Sequence, residues 1–188
     1  MTYQQAPKAL TAETLEKAAA FYLERYASSR ENLRRVLMRR VTKTARGDED
    51  AVAEGRAWVE ALLARYLAAG LIDDARYAEA KAAGLARSGT SRFQIRGKLR
   101  QKGVSRGEID RAVAALDERG ESSEITAACA LMRRKRLGPY RPADARAAHR
   151  QKDMAAMARA GFAIELAQLL LRAPDVETLE RMARENDD

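Results

Sequence analysis

Arginine and lysine side chains at helical spacing are the residues of this sequence with the clearest chemical potential. Arg92, Arg96 and Arg100 are four residues apart, so on a helix they form one line of positive charge. Guanidinium groups bind phosphates and carboxylates, often through two parallel hydrogen bonds. The spacing therefore indicates a surface that binds an anionic polymer rather than a reaction centre.

Positive charge is concentrated in three stretches of the chain. Residues 25–46 hold eight lysines or arginines and one acid, residues 92–106 hold six and no acid, and residues 133–152 hold eight and one acid. The chain has a net charge of +8 and a pI of about 9.9. Together with the separation of basic from acidic residues, this predicts a basic stripe that contacts nucleic acid or an acidic protein groove. The alternative is three ordinary solvated helix faces.

The basic residues of the middle helix in each stretch are the predicted contact residues. On the second of these helices Ile95 and Leu99 point inward, which leaves the arginine line on an exposed face without acidic partners. The full predicted set is Arg34, Arg35, Arg39, Arg40, Arg92, Arg96, Lys98, Arg100, Lys102, Arg133, Arg134, Arg146 and Arg150.

The sequence offers little for catalysis, cofactors or metals. His149 is the one histidine, and no glycine-rich phosphate-binding loop is present. Asp73 and Asp74 resemble a metal or nuclease pair, but their place at a helix start favours capping of the free N–H groups there. We therefore predict a protein that is not an enzyme and has no catalytic, cofactor or metal site.

Aromatic and apolar residues give further limits. Trp58 and Tyr77 fall on apolar helical stripes, so we do not expect exposed aromatic platforms on which unpaired bases stack. No apolar run approaches the length of a membrane span and no signal segment opens the chain. Cys129 is the one cysteine and is expected to be a buried thiol. We expect a cytoplasmic monomer without membrane association.

Helical patterns account for nearly the whole chain and position these residues. The serines at Ser28, Ser91 and Ser105 are each followed three residues later by Glu or Gln, which is the spacing of a capping box, and Gly70 and Gly103 end helices. The predicted fold is all-α, with three tandem three-helix modules, about nine helices, in an elongated molecule that is straight or curved. The predicted boundaries are a disordered tail at 1–11, modules at 12–69, 70–120 and 121–174, and a short terminal helix or tail at 175–188.

An internal repeat supports the modules. The pair Ser29-Arg30 aligns with Ser91-Arg92 at an offset of 62 residues, and the same offset places Leu37 on Leu99. A fainter copy follows, because the segment at 159–162 matches the segment at 101–104 at an offset of 58.

The second module resembles the RecX family of regulators of the recombinase RecA. The resemblance rests on residues 70–79, GLIDDARYAE, with Ser91, Ile95, Leu99, Lys102-Gly103-Val104, Ile109 and Ala112. It implies a nine-helix fold and a non-enzymatic regulator that binds the RecA filament on single-stranded DNA. It further implies inhibition of ATP hydrolysis, filament extension and strand exchange, in DNA repair, DNA recombination and the SOS response. The implied DNA contact is without sequence specificity.

Two other functions remain open from the residues alone. One is a stand-alone helical DNA-binding protein such as a transcription factor, and the other is an RNA-associated basic scaffold. A transcription factor needs base-reading side chains at the start of a recognition helix. The helix after Gly103 begins Ser-Arg-Gly-Glu, which is poor for that purpose. A preferred DNA sequence would identify a transcription factor, whereas the filament regulator has none.

Overall fold

The structure, a computed structural model, describes residues 10–118 and 123–185, and within them it contains only helices, turns and loops. The α-helices are α1 Ala12–Leu23, α2 Arg30–Ala45, α3 Glu49–Ala68, α4 Asp74–Arg87, α5 Arg92–Gln101, α6 Arg106–Glu118, α7 Glu124–Lys135, α8 Ala143–Arg159, α9 Ile164–Leu171 and α10 Val176–Arg184, with a 3₁₀ turn at Gly138–Tyr140. The all-α prediction is confirmed, and α10 is the short terminal helix. Most of the predicted tail at 1–11 lies outside the described residues.

The described chain forms two compact units, and the first comprises residues 10–77 together with 102–104. Its core consists of the apolar faces of α1, α2 and α3, where Leu15, Leu37 and Leu63 are fully buried. Trp58 packs against this core, as its apolar stripe predicted. Leu10, at the end of the predicted tail, also packs against it.

The second unit comprises residues 78–101, 105–118 and 123–185. Met132, Met157 and Leu170 are fully buried in its larger core cluster. Leu179 of α10 is buried there too, and its carbonyl lies 3.8 Å from the Cys129 sulfur, which acts as a weak donor. Cys129 is thus the predicted buried thiol, and the terminal helix is part of the core.

The predicted capping residue of α2 is wrong by one position. Ser29, not Ser28, caps α2, because its hydroxyl accepts the backbone N–H of Asn32 at 3.2 Å. The Ser28 hydroxyl instead accepts the amide of the Asn32 side chain at 2.8 Å. Neighbouring serines compete for the cap, and spacing alone did not distinguish them.

The start of α2 is fixed by partners distant in sequence. The backbone N–H of Arg30 donates to Asp74 Oδ1 at 2.7 Å. The hydroxyl of Ser29 donates to the carbonyl of Lys102. An acid from the start of α4 therefore stabilises the N-terminus of α2, where free N–H groups carry partial positive charge.

The start of α5 repeats this arrangement in the second unit. The backbone N–H of Arg92 donates to Glu124 Oε2 at 3.2 Å, and the Ser91 hydroxyl donates to the carbonyl of Ala160 at 2.6 Å. Glu124 is the first residue of α7, as Asp74 is the first residue of α4. The sequence repeat is therefore also a repeat of capping contacts.

Two glycines complete the repeated contact. Gly103 and Gly161 have φ values of +75° and +79°, in the left-handed region that favours glycine. A Cβ on Gly103 would lie 2.4 Å from Glu31 Cβ, and a Cβ on Gly161 would lie 2.8 Å from Ser91 Oγ. At both positions, the turn requires a residue without a side chain.

Candidate nucleic-acid and partner interface

Helix α2 of the first unit presents two basic residues to solvent. Its inner face is fixed by the buried side chains of Leu33, Leu37 and Val41. Arg39 and Arg40 lie outside that stripe and are exposed, and within the described residues neither forms an ion pair. Both guanidinium groups are therefore available to an anionic partner.

Two other predicted contact residues of α2 are engaged within the unit. Arg34 donates to Glu60 of α3, and this carboxylate raises the pKa of the guanidinium. Arg35 Nε donates to Glu31 Oε1 at 2.8 Å, one turn back on the same helix. Both side chains form ion pairs within the unit, Arg34 with Glu60 and Arg35 with Glu31. Substituting either would therefore change the stability of the unit as well as its surface charge.

The predicted free arginine line on α5 is wrong. Arg92 Nη1 donates to Glu124 Oε2 at 2.9 Å, and the Arg92 side chain is only 17% exposed. Arg96 forms an ion pair with Asp110 of α6. The acids lie on other helices, so periodicity along α5 gave no indication of them.

The exposed charge of α5 lies instead on Lys98 and Arg100. Both side chains are exposed, and neither has an ion-pair partner in the described parts of the chain. Lys102, just past the helix, is exposed and donates to Asn32 Oδ1 at 3.2 Å within the first unit. A neutral amide leaves the positive charge of Lys102 uncompensated.

Arg146 of α8, a predicted contact residue, bonds to the backbone of its own unit. Its guanidinium donates to three backbone carbonyls, those of Pro139 at 3.0 Å, Arg141 at 3.1 Å and Pro174 at 2.5 Å. These bonds hold the loop after α7 and the segment after α9. Each of the three guanidinium nitrogens donates to one of these carbonyls, and the Arg146 side chain is half-buried.

The remaining predicted contact residues of the second unit, Arg133, Arg134 and Arg150, are all exposed. Arg134 donates to the carbonyl of Ser88. Arg133 and Arg150 are exposed, without an ion-pair partner among the described residues. Eight of the thirteen predicted residues are thus exposed and free of ion pairs in the part of the chain that the structure describes: Arg39, Arg40, Lys98, Arg100, Lys102, Arg133, Arg134 and Arg150.

The paired aspartates are both capping residues, but of different helices. Asp73 Oδ1 accepts the backbone N–H of Arg76 at 2.9 Å and caps α4, as predicted, whereas Asp74 accepts the backbone N–H of Arg30 and caps α2 instead of the predicted α4. Within residues 10–118 and 123–185 no cluster of three or more potential metal ligands occurs. No helix in these ranges is long and apolar enough to cross a bilayer.

The expectation that the chain has no exposed aromatic rings is wrong, because Phe21 and Tyr26 are 59% and 57% exposed and a third ring is more exposed still. Phe93 of α5 is 74% exposed. The helical spacing could have predicted this exposure. At 100° per residue, Phe93 lies about 200° from Ile95, on the side of α5 opposite the buried stripe. Tyr77 is half-buried, and burial raises the pKa of its phenol.

These features define the protein as all-helical and basic, with repeated contacts at helix starts and, in the part of the chain that the structure describes, exposed cations outside ion pairs. Residues 73–113 match the family model described as RecX, second three-helix domain. The chain is 42% identical to the regulatory protein RecX of Myxococcus xanthus (strain DK1622), over 166 residues that cover 88% of each chain. It is 36% identical to the regulatory protein RecX of Agrobacterium fabrum (strain C58 / ATCC 33970), over 95 residues that cover 50% of this chain and 48% of that one.

The chain therefore belongs to the RecX family of regulatory proteins. No solved structure gives a significant match to it.

Proposed function

We propose that this protein binds the RecA filament on single-stranded DNA and inhibits ATP hydrolysis, filament extension and strand exchange, in DNA repair and recombination. The observation that carries the proposal is membership of the RecX family together with exposed cations that have no ion pair on α2, α5 and α8. Cations without acidic partners are free to exchange their counterions for phosphates or for carboxylates of an acidic protein surface.

We further propose that the chain works as three modules, at 12–69, 70–120 and 121–174. The repeated capping contacts at the starts of α2 and α5 support this division. In each case the acid comes from the first helix of the following predicted module. Such a division gives each basic middle helix an equivalent role toward the partner.

A sequence-reading transcription factor is the weaker proposal. A recognition helix needs free polar side chains in its first turn. At the start of α6, the backbone N–H of Ser105 donates to Glu108 Oε2 at 3.1 Å, and the backbone N–H of Glu108 donates to Ser105 Oγ at 3.3 Å. This reciprocal capping box occupies the two side chains that would otherwise meet base edges.

The test is the DNA-dependent ATPase of RecA with this protein at substoichiometric ratio. Wild type should inhibit, and the double variant Lys98→Glu/Arg100→Glu should inhibit at least about tenfold less, since it reverses two exposed charges. The matched control is Lys81→Glu/Arg87→Glu on α4, which makes the same charge change at two exposed residues of the same predicted module. The control should inhibit as well as wild type.

Bare single-stranded DNA gives an independent measurement. If Lys98 and Arg100 each contact a phosphate, the double variant should reduce the slope of log affinity against log salt by roughly 1.4. Equal loss of inhibition in both double variants would show that net charge, not this surface, is responsible. A wild-type protein that leaves the ATPase unchanged but binds one duplex sequence tightly would refute the proposal.

A further inference from the structure

Phe93 is the most exposed large apolar side chain of the described residues, at 74%. It lies in the first turn of α5, the helix that also carries Lys98 and Arg100. Single exposed apolar residues are common and need no explanation by themselves. The surroundings of this ring, rather than its exposure, indicate a binding site.

An open surface follows the ring along the helix. Gly97 is one turn on from Phe93, so the two residues share a face of α5. A Cβ on Gly97 would meet no atom within 4 Å. Glycine is unfavourable inside a helix, and here its missing side chain leaves the space beside the ring empty.

This space belongs to an open groove of about 400 Å³ along α5, and every residue that lines it lies on that helix. It is lined by Phe93, Gly97, Arg96, Lys98 and Arg100 together with two glutamines. Its volume is within the range of small-ligand sites, and its lining combines one aromatic ring with cations and amides. A planar aromatic ligand that also carries negatively charged groups matches this lining.

One side of the ring lies against another part of the second unit. A Cβ on Gly161 would lie 2.9 Å from Phe93 Cδ1, so the ring lies beside the turn that follows α8. Most of the ring nevertheless remains open to solvent. A ring that is already positioned loses less conformational freedom when a ligand stacks on it.

We propose that Phe93 and Gly97 form a stacking site for an unpaired base of single-stranded DNA, whose flanking phosphates contact Lys98 and Arg100. An aromatic ring beside free cations is the arrangement by which proteins bind single strands without reading their sequence. The cations on the rim disfavour a purely apolar protein segment as the occupant. This inference rests on the DNA contact of the proposed function and names the residues that make it.

The test compares two fluorescently labelled oligomers by anisotropy. One is a fifteen-nucleotide thymidine oligomer, and the other is an abasic oligomer of equal length that keeps the phosphates and lacks the bases. Wild type should bind the thymidine oligomer more tightly. Phe93→Ala should weaken binding of the thymidine oligomer by roughly 5- to 100-fold and leave binding of the abasic oligomer within about twofold.

Two further variants separate stacking from general apolar contact. Phe93→Tyr keeps an aromatic face and should retain the preference for bases, whereas Phe93→Leu keeps apolar area and should behave as Phe93→Ala does. Equal binding of both oligomers by wild type, an unchanged preference in Phe93→Ala, or full retention by Phe93→Leu would overturn the inference. Binding of a uridine ribonucleotide oligomer more than tenfold tighter than the thymidine oligomer would overturn the assignment to DNA.

The outcome is distinguishable from that of the proposed function. A preference for bases that depends on Phe93, with no effect of wild type on the RecA ATPase, would leave the stacking site standing and refute filament regulation. Inhibition of the ATPase by wild type, with no preference for bases, would do the reverse.

Discussion

Charge reversal at Arg92 should destabilise the second unit more than the same reversal at Arg100 does. The Arg92 and Glu124 side chains are 17% and 29% exposed, so solvent screens their interaction only in part. Loss of a hydrogen bond between charged groups costs about 1.5–3 kcal/mol, and two facing carboxylates add about 1 kcal/mol. A glutamate at the start of α5 recovers about 0.3–1 kcal/mol through the helix dipole. We expect Arg92→Glu to lower the free energy of unfolding by about 2–3 kcal/mol.

The assay is urea unfolding followed by circular dichroism of the helices. Arg100→Glu is the matched control, because it makes the same substitution on the same helix at an exposed residue. Because Arg100 lies in the last turn of α5, the loss of its favourable interaction with the helix dipole should lower the free energy of unfolding by about 0.5–1 kcal/mol. Equal stability of Arg92→Glu and Arg100→Glu would refute the structural role assigned to Arg92.

The exchanged pair Arg92→Glu/Glu124→Arg gives a sharper check. It restores opposite charges, but the backbone N–H of residue 92 loses its carboxylate acceptor, which lies 3.2 Å away in the wild type. Stability should therefore return only in part. Complete recovery would mean that the contact with the backbone N–H contributes nothing to α5.

Three further predictions concern the second unit. Gly161→Ala should lower the free energy of unfolding by about 2–4 kcal/mol, measured by urea unfolding, because the new Cβ would lie 2.8 Å from Ser91 Oγ at a φ of +79°. Asp153→Asn should lower it by about 3 kcal/mol in the same assay, since the buried Asp153 accepts Arg141 Nη2 at 2.8 Å and the Gly138 N–H at 2.9 Å. Burial by itself raises the pKa of Asp153, but the bonds from Arg141 and Gly138 outweigh it and hold the pKa below its ordinary value. The stability from this carboxylate should be complete above about pH 4 and fall as the pH drops through the lowered pKa. In a pH series, the difference in stability between wild type and Asp153→Asn should therefore shrink below about pH 4. An Asp153→Asn variant as stable as wild type at pH 7 would contradict both statements about Asp153.

Local patterns in the sequence were sufficient to predict the helices and the internal repeat. Apolar residues at helical spacing, such as Leu33 and Leu37, identify a buried stripe wherever a helix packs on one side. Capping residues and glycines at turns act within a few positions of themselves, so their effects can be predicted from adjacent residues. The concentration of positive charge on α2 and α5 is equally a property of the sequence.

Only the tertiary structure decided which of those charges are available. Glu124 is 32 residues from Arg92, and Asp110 is 14 residues from Arg96. Neither pairing follows from the spacing along α5, because packing of other helices brings these acids to it. The same packing left Lys98 and Arg100 without acidic neighbours in the described residues. A helix pattern determines the direction in which a side chain points, and the neighbouring helices determine what it meets there.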